Sequence, residues 1–442
     1  MSGMSRKHAI IKGTFILTAT GFATRFMGFF YRIFLSHTFG EEGVGLYQLI
    51  FPIYALCFSL TCAGIELALS RCVAARLVKG QKKEARELLH TSLLLTIAFS
   101  CIVAVFLQKY AYFLSDSFLK DERCMELLVL LSYALPFAAI HSCIVGYYLG
   151  GKQTGIPAVS QLIEQTVRIL SVYLICQLAM AQGSRAGVII AVAGLIFGEI
   201  SSALYCLYKI RGGSLLAPIP RIKPSVFLRH AKELLFLSSP LTANRVLLNI
   251  LQSVESISIP LRLQIYGMLR ADALGTYGVM TGMALPCVLF PSAITNSVST
   301  MLLPTVAEIQ ALDNKKEMSQ IIQKSVYCCI FLGSLCCVFL LSFGDWIGTF
   351  LFHSPLAGKF ITAMSWLCPF LYTNNTLISF INGIGKTYLS FIISALSLGI
   401  RIASVFFLIP LYGIFGYLWG LLASQIFIFL VCLVYMYRYV RT

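Results

Sequence analysis

Charged residues are scarce in this chain. They make up 12% of its 442 residues, while hydrophobic residues make up 58%. Soluble domains usually contain about 25% charged residues and about 45–50% hydrophobic residues. The mean hydropathy is +0.83. Too little polar surface is present to cover a water-soluble globule of this size. This excludes a soluble enzyme, a secreted disulfide scaffold and a disordered chain, and it predicts an all-α polytopic membrane protein.

Motifs of catalysis and metal binding are also missing. There is no G-x-x-x-x-G-K-[ST], so the chain encodes no ATP-driven pump, and there is neither G-x-S-x-G nor H-E-x-x-H. The 15 cysteines form no C-x-x-C pair and no Cys/His set with zinc spacing. The six histidines form no cluster, and we favour His141, within a predicted span, as an interior residue over a proton relay. We expect no catalytic residue, no metal, no cofactor and no enzyme activity.

Basic residues outnumber acidic ones by 34 to 18, which gives a net charge of +16. In a soluble protein this excess would indicate nucleic acid, but in a membrane protein it indicates cytoplasmic loops rich in Lys and Arg. One alternate set of loops holds 22 Lys and Arg, including those at 69–87 and 209–233, and the other set holds 7. The asymmetry predicts a multi-pass protein of the plasma membrane with both termini in the cytoplasm and no nucleic-acid partner.

Apolar stretches long enough to cross the hydrocarbon core, about 20 residues each, occur twelve times. The predicted spans lie near 13–36, 44–68, 88–108, 126–149, 157–180, 186–208, 234–258, 274–302, 323–343, 361–382, 387–409 and 411–437.

The second half of the chain repeats the first at a nearly constant offset. The most specific match pairs Arg168-Ile-Leu-Ser-Val172 with Arg401-Ile-Ala-Ser-Val405, and we call the separation between Arg168 and Arg401 the repeat offset. Shorter matches occur in the same order at nearly the same offset. A unit of six spans, an even number, gives both halves the same orientation, which is typical of parallel repeats in transporters.

The repeat predicts a domain organisation. We expect an N-terminal six-helix lobe at 1–208, a cytoplasmic linker at 209–233 and a C-terminal six-helix lobe at 234–442. Two such lobes around a central cavity are typical of a transporter, whereas a channel usually assembles around an axis from several subunits.

Arginines within the predicted spans suggest the cargo. A charge at the bilayer centre costs at least about 2.5–3.5 kcal/mol, so such residues usually face the bundle interior or a wet cavity. Arg25 and Arg32 share one face of the first span, and Arg245 opens the seventh span in a matching context. The planar, permanently charged guanidinium suits phosphate. We predict these three as substrate-binding residues; the alternatives are an ion pair for Arg25 and snorkelling to the interface for Arg32.

Other ionisable residues in the spans have two possible roles. Glu164 lies one turn before Arg168, which predicts an i,i+4 ion pair, and Arg401 occupies the position equivalent to Arg168 in the repeat. Glu199 and Glu255 either pair with arginines or bind a coupling ion. All five are therefore candidates for coupling or for structural ion pairs.

Motifs in and after the first span carry a family resemblance. They are Lys12-Gly-Thr-Phe-Ile-Leu, Thr24-Arg25-Phe-Met-Gly28-Phe, Arg32 and Gly40-Glu-Glu-Gly-Val-Gly-Leu-Tyr47. These motifs resemble the stage V sporulation protein B family of polysaccharide-biosynthesis transporters. The family is related to the lipid II flippase, within the multidrug/oligosaccharidyl-lipid/polysaccharide exporter superfamily. Members commonly have fourteen spans, two more than this chain has room for. In the flippase relatives, first-helix arginines line a cationic cavity, and the resemblance places them at Arg25 and Arg32.

The resemblance implies a flippase or exporter of a lipid-linked oligosaccharide. The cargo would be an undecaprenyl-pyrophosphate glycan for peptidoglycan or spore cortex, moved by alternating access. The implied partners are this anionic glycan, membrane lipids and cell-wall synthesis enzymes. Two alternatives stay open. One is a multidrug/cation antiporter of the same superfamily, which needs a carboxylate for Na⁺ or H⁺; the other is a scaffold for cell-wall synthases that transports nothing.

Overall fold

The computed structural model describes residues 3–182, 187–210, 212, 223–296, 299, 302, 306, 309 and 315–441. Nearly all of these residues are helical and none of them forms a strand, which agrees with the predicted all-α class. Several predicted features lie outside the described residues: Arg185, part of the predicted linker (211 and 213–222), and the side chains of Arg6, Lys7, Lys12, Lys315 and Arg441.

The described residues form a series of α-helices. In chain order they are α1 Gly3–Phe58, α2 Gly64–Val78, α3 Lys82–Lys109, α4 Ala111–Phe113, α5 Cys124–Ser132, α6 Ala134–Gly150, α7 Gly155–Ala181, α8 Ile189–Ile210, α9 Pro224–Ile265, α10 Arg270–Gly278, α11 Leu285–Leu289, α12 Lys315–Phe352, α13 Pro355–Met364, α14 Cys368–Gly383, α15 Thr387–Phe407, α16 Ile409–Tyr412 and α17 Ile414–Arg441. Single π-helical turns occur at Ser59–Ala63, Leu114–Phe118 and Val279–Ala284, and a 3₁₀ turn at Ser365–Leu367.

Helix α1 contains the first predicted span and the start of the second. Its 56 residues would extend roughly 84 Å as one straight helix, against a hydrocarbon core of about 30 Å. Gly40 interrupts it with φ 66° and ψ −176°, a conformation that favours glycine because no Cβ is present. The glycine therefore separates the two predicted spans.

Among the described residues, eight helices are long and apolar enough to cross a membrane, or nine if the bent pair α5–α6 counts as one span. One of these eight helical stretches, residues 15–78, holds two predicted spans. The predicted spans near 274–302 and 361–382 are divided into shorter helices. The protein is a multi-pass membrane protein, and the number of twelve crossings stays a prediction.

Two compact units divide the chain. Unit 1 comprises Met1–Gly28 and Leu49–Ser253, and unit 2 comprises Phe29–Gln48 and Val254–Thr442. Helices α1 and α9 each contribute one part to each unit. The predicted lobes, with their boundary in a linker between α8 and α9, stay a prediction.

Unit 1 has an apolar core between α2, α3, α6 and α8. Leu69, Leu88 and Cys143 are fully buried there. Helix α7 packs along α8 at Gly198, where a Cβ atom would lie 2.8 Å from the backbone oxygen of Glu164. This close approach of two backbones requires glycine, and it brings the acidic residues of α7 and α8 to the same level.

Unit 2 has an apolar core between α12, α14, α15 and α17. Phe380, Ile381 and Cys432 are fully buried in it. These four helices overlap, in order, the last four predicted spans.

The two units share local packing at positions separated by the repeat offset. In unit 1, Thr96 Oγ1 lies 3.1 Å from Cys143 Sγ. At the equivalent positions in unit 2, Cys329 Sγ lies 3.3 Å from Thr376 Oγ1. The same contact is thus made with threonine and cysteine exchanged, as expected of two halves that descend from one repeat.

Candidate transport site

Arg25 is an exposed side chain of α1 in unit 1. Its neighbour Thr24 accepts a hydrogen bond through the backbone carbonyl from Gln165 Nε2 at 3.5 Å. Because Gln165 belongs to α7, this bond holds the Arg25 segment of α1 against α7.

Arg245 is a second exposed arginine of unit 1 and lies on α9. One turn further along, Asn249 Nδ2 donates to the backbone oxygen of Ala55 at 3.1 Å and to Ser59 Oγ. These bonds fix α9 against the region where α1 ends. The charge of Arg245 acts on Glu66 of α2, so α9 brings a cation to the acidic side of unit 1.

Arg32 lies in unit 2 rather than unit 1. Its side chain is half-buried, and Nη1 donates to the backbone oxygen of Thr281 at 3.3 Å. Of the three arginines predicted to bind substrate, the structure therefore brings Arg25 and Arg245 into one unit and gives Arg32 a backbone partner in the other.

A cluster of ionisable side chains lies inside unit 1, where sequence reasoning did not assemble it. His141 of α6, Glu164 of α7 and Glu199 of α8 each contribute an atom, and these atoms lie within 4.8 Å of one another. His141 Nδ1 is 3.7 Å from Glu199 Oε2 and 3.9 Å from Glu164 Oε2. The available signal was the presence of one such residue in each of three consecutive predicted spans.

Neighbouring side chains provide hydrogen bonds or ion pairs for only some of the carboxylate oxygens of the cluster. Arg168 contacts Glu164 across one turn of α7. This is the i,i+4 ion pair that their spacing in the sequence predicts. The Tyr54 hydroxyl donates to Glu199 Oε1 at 3.2 Å. Glu199 Oε2 is buried and accepts no hydrogen bond from the described residues.

The buried acid Glu255 of unit 2 pairs directly with an arginine. Glu255 Oε1 accepts from Arg401 Nε at 2.7 Å and from the Tyr417 hydroxyl at 2.8 Å. Glu255 is 2% exposed. Of the two roles left open for Glu255, this geometry matches the ion pair.

An open cavity of about 600 Å³ lies in unit 1 beside α9. Its lining is mostly apolar and includes Phe236 and Pro240, and Arg71 of α2 supplies one positive charge. Such a surface suits a molecule with an apolar chain and an anionic group.

Charged residues within the unit 1 spans differ in exposure. Arg25 and Arg245 are exposed, whereas Arg168 and the acids Glu66, Glu164 and Glu199 are half-buried or buried. A molecule in contact with the exposed surface of these helices meets positive charge.

The chain belongs to the polysaccharide biosynthesis protein family. Residues 10–310 match that family, and residues 246–407 match the family described as MatE. The protein is accordingly a membrane transporter of the flippase and exporter superfamily, and it is not an enzyme. The family resemblance carried by the opening motifs is confirmed.

Individual relatives agree with this assignment. The chain is 29% identical over 363 residues to stage V sporulation protein B of Bacillus subtilis (strain 168), covering 81% of this chain and 70% of the relative. It is 25% identical over 340 residues to lipid II flippase MurJ of the same strain, covering 73% and 62%. A solved structure of lipid II flippase MurJ in an inward closed conformation matches with a TM-score of 0.74 and 16% identity, covering 95% of this chain and 87% of that chain. The structural likeness shows a common fold.

Proposed function

We propose that this protein is a flippase for a lipid-linked oligosaccharide, an undecaprenyl-pyrophosphate glycan that serves as a precursor of peptidoglycan or spore cortex. One observation carries the proposal: Arg25 and Arg245, each within a predicted span of unit 1, are exposed, whereas the acids Glu164 and Glu199 are half-buried or buried, Glu164 beside Arg168.

Exposed guanidinium groups in membrane helices need a reason. Facing lipid, each would cost at least about 2.5–3.5 kcal/mol, so Arg25 and Arg245 are expected to line a water-filled path. A pyrophosphate carries negative charge and several acceptor oxygens, which the guanidinium fork can bind in pairs. Each charge-assisted contact contributes about 1.5–3 kcal/mol, enough to offset much of the cost of carrying the head group across the membrane.

The apolar cavity beside Arg71 supports a lipid-linked cargo. A free sugar phosphate would gain nothing from an apolar surface of this size, whereas a polyprenyl chain would bury its methylene groups there. The MurJ relative is named a lipid II flippase, and lipid II is a cargo of the same chemical class.

The mechanism that fits this cargo is alternating access by two six-helix lobes of twelve crossings in the plasma membrane, with both termini in the cytoplasm. Arg32 would add a third cationic contact for the head group when it leaves its backbone partner Thr281. Membrane lipids and cell-wall synthesis enzymes are the expected partners.

The second candidate function is a multidrug/cation antiporter. The MatE match over residues 246–407 favours it, and the acidic cluster of unit 1 offers a place for a coupling ion. A cationic drug, however, would be repelled by Arg25 and Arg245. The exposed charges therefore favour anionic cargo.

The test measures translocation in liposomes that contain the purified full-length protein. The probe is a fluorescent undecaprenyl-pyrophosphate disaccharide, and its appearance in the outer leaflet is followed with a membrane-impermeant quencher. We expect R25A and R245A each to slow translocation at least about tenfold, because each removes a contact of about 1.5–3 kcal/mol.

The matched control is R86A, which removes an exposed arginine at the start of α3, outside the predicted spans. It should leave the rate within about twofold of the wild-type rate, as is usual for a surface change of under about 0.5 kcal/mol. Unchanged translocation by R25A/R245A would refute the anion-binding role. Export of a cationic dye in place of the lipid probe would favour the antiporter.

A further inference from the structure

The hydrogen bonds of His141 determine which of its ring nitrogens carries a proton. Ser160 donates its one hydroxyl proton to the backbone oxygen of Pro157 at 2.8 Å. Ser160 Oγ therefore accepts from His141 Nε2, which lies 3.0 Å away. The proton of the neutral ring is thus on Nε2, and Nδ1 presents its lone pair to the carboxylates of Glu164 and Glu199.

A lone pair that faces two carboxylate oxygens is repelled by them. Nδ1 is 3.7 Å from Glu199 Oε2 and 3.9 Å from Glu164 Oε2, longer than hydrogen bonds of about 2.7–3.2 Å. Glu199 is 8% exposed, and its Oε2 accepts no hydrogen bond from the described residues. A positive charge placed between Nδ1 and this oxygen would turn the repulsion into attraction.

The charge balance allows one such positive charge. Glu164 and Glu199 are opposed by one arginine, Arg168, which leaves the cluster one negative charge in excess when His141 is neutral.

Other groups around the cluster leave this excess in place. Tyr54 of α1, Cys62 of the π-helical turn and Glu66 of α2 all face the cluster, and Arg245 of α9 acts on Glu66. Tyrosine and cysteine are neutral near pH 7. Glu66 lies outside the three-residue cluster, and the opposite charge of Arg245 acts on it.

A proton fits the space better than a metal ion does. A divalent ion would overcompensate the single excess charge, and hard monovalent cations such as Na⁺ prefer oxygen ligands over an imidazole nitrogen. The side chains of His141, Glu164 and Glu199 keep 12, 18 and 10% exposure, so each of them still reaches the surface of unit 1.

We propose that His141, Glu164 and Glu199 form a binding site for a single proton, held between His141 Nδ1 and Glu199 Oε2, and that this proton drives the transport cycle. The proton site stands by itself, whereas its role in driving transport rests on the proposed function.

Two contacts connect the site to the exposed arginines of unit 1. Gln165, next to Glu164 on α7, donates to the backbone oxygen of Thr24, which precedes Arg25. Ser142, next to His141 on α6, donates to Glu66 Oε2 at 2.8 Å, and the charge of Arg245 acts on Glu66. Protonation draws α6, α7 and α8 together because the 3.7 and 3.9 Å contacts can shorten to hydrogen bonds. This movement is passed on to α1, which carries Arg25, and to α9, which carries Arg245.

Unit 2 carries a neutral counterpart of the site. Asn374 follows His141 at the repeat offset, and its Nδ2 donates to Gln425 Oε1 at 2.9 Å. Gln425 lies on α17, the last helix of unit 2, as Glu199 lies on α8, the last helix before the predicted linker.

The glycines of α8 and α17 show how these two helices correspond. In unit 1, a Cβ at Gly194 would meet Val172 and lie 3.4 Å from Ser171 Oγ. In unit 2, a Cβ at Gly420 would meet Ser404, which follows Ser171 at the repeat offset. Gly194 and Gly420 therefore occupy equivalent places.

Glu199 and Gln425 follow these two glycines at the same spacing along their helices. They are therefore equivalent as well. The variant H141N/E199Q reproduces in unit 1 a pair that the chain already accommodates in unit 2.

The proton site is tested without substrate, by infrared difference spectra of the full-length protein in liposomes between acidic and basic buffer. The wild type should show one titrating imidazole–carboxyl signal that H141N/E199Q loses entirely. The single variants H141Q and E199Q should lose it too, which covers the case in which the double variant does not fold. Q425A, a control in unit 2, should keep it. Persistence of the signal in both single variants would overturn the proposal, as would its displacement by Na⁺, Mn²⁺ or Zn²⁺.

The driving role is tested with the fluorescent undecaprenyl-pyrophosphate disaccharide under a pH gradient. With one proton per cycle, each pH unit should change the steady-state distribution of the probe up to about tenfold, and H141N/E199Q should lose this dependence. A Na⁺ gradient that replaces the pH gradient would overturn the role. R25A/R245A separates the two proposals: it should lose translocation and keep the infrared signal, so failure of one proposal is visible apart from failure of the other.

Discussion

The two units balance their buried charges differently. In unit 2, the acid Glu255 meets the single arginine Arg401, and the Tyr417 hydroxyl shares the same oxygen. In unit 1, the equivalent arginine, Arg168, pairs with Glu164, and His141 lies 3.9 Å from Glu164 and 3.7 Å from the second acid, Glu199. The repeat has kept the arginine and changed its surroundings. The pair in unit 2 is complete and stabilises the fold, whereas unit 1 is left with a place for one positive charge.

The largest effect is expected from breaking the complete pair. E255A leaves the guanidinium of Arg401 without its carboxylate, and removal of one partner of a buried ion pair typically costs about 3–5 kcal/mol. The free energy of unfolding, measured by denaturant titration in mixed micelles, should fall by this amount. The control E255L/R401M, which removes both charges, should lose much less. A loss below about 1 kcal/mol for E255A would show that the pair does not stabilise unit 2.

A smaller effect is expected where α7 meets α8. In G198A, the new Cβ would lie 2.8 Å from the backbone oxygen of Glu164, so the helices must separate at a cost of about 1–3 kcal/mol. The same unfolding measurement checks this value. G155A, at a site where a Cβ meets nothing within 4 Å, is the control and should stay within about 0.5 kcal/mol. Equal losses in both variants would contradict the close packing of α7 on α8.

Neutralising an acid of unit 1 should lower the free energy of unfolding much less than neutralising the acid of unit 2. E199Q removes the excess negative charge of the cluster and keeps a side chain of the same size. We expect a change within about 1 kcal/mol at neutral pH, since the amide oxygen of the new side chain can still accept from Tyr54. The matched variant in unit 2 is E255Q, and both are measured in the same unfolding assay. A loss of several kcal/mol for E199Q would mean that both units hold complete ion pairs.

The smallest effect is expected from exchanging two residues within the repeat. T96C/C143T gives unit 1 the arrangement that unit 2 already has at Cys329 and Thr376. Since volume and polarity are conserved, the double variant should unfold within about 0.5 kcal/mol of the wild type. The single variants should each lose more, because they place two like side chains at the contact. Additive losses in the double variant would argue against equivalence of the two sites.

Much of the fold could be predicted from hydropathy and the repeat, because both depend on local sequence. Among the described residues, the predicted spans fall on helices. A break between the spans near 13–36 and 44–68 was predicted, but its position at Gly40 was not, because a glycine permits a positive φ without requiring it. The division of the spans near 274–302 and 361–382 into short helices was likewise not apparent from apolar composition.

The site was less accessible to sequence reasoning. Glu164 and Arg168 lie on one helix, so their spacing alone predicts the contact. His141, Glu164 and Glu199 lie on three helices, and only packing such as the approach at Gly198 brings them to one level. Burial cannot be read from residue type either: two arginines of unit 1 are exposed and its mid-span acids are turned inside, and this sorting is what favours anionic cargo.

The most direct test of the account is to identify the lipid that the protein holds when it is purified from its membrane. Mass spectrometry of the full-length protein should find a polyprenyl-pyrophosphate glycan bound to the wild type and to R86A, and should find it lost from R25A/R245A. A wild type that carries no pyrophosphate lipid, or an R25A/R245A variant that retains it in equal amount, would contradict the claim that the exposed arginines bind an anionic lipid-linked cargo.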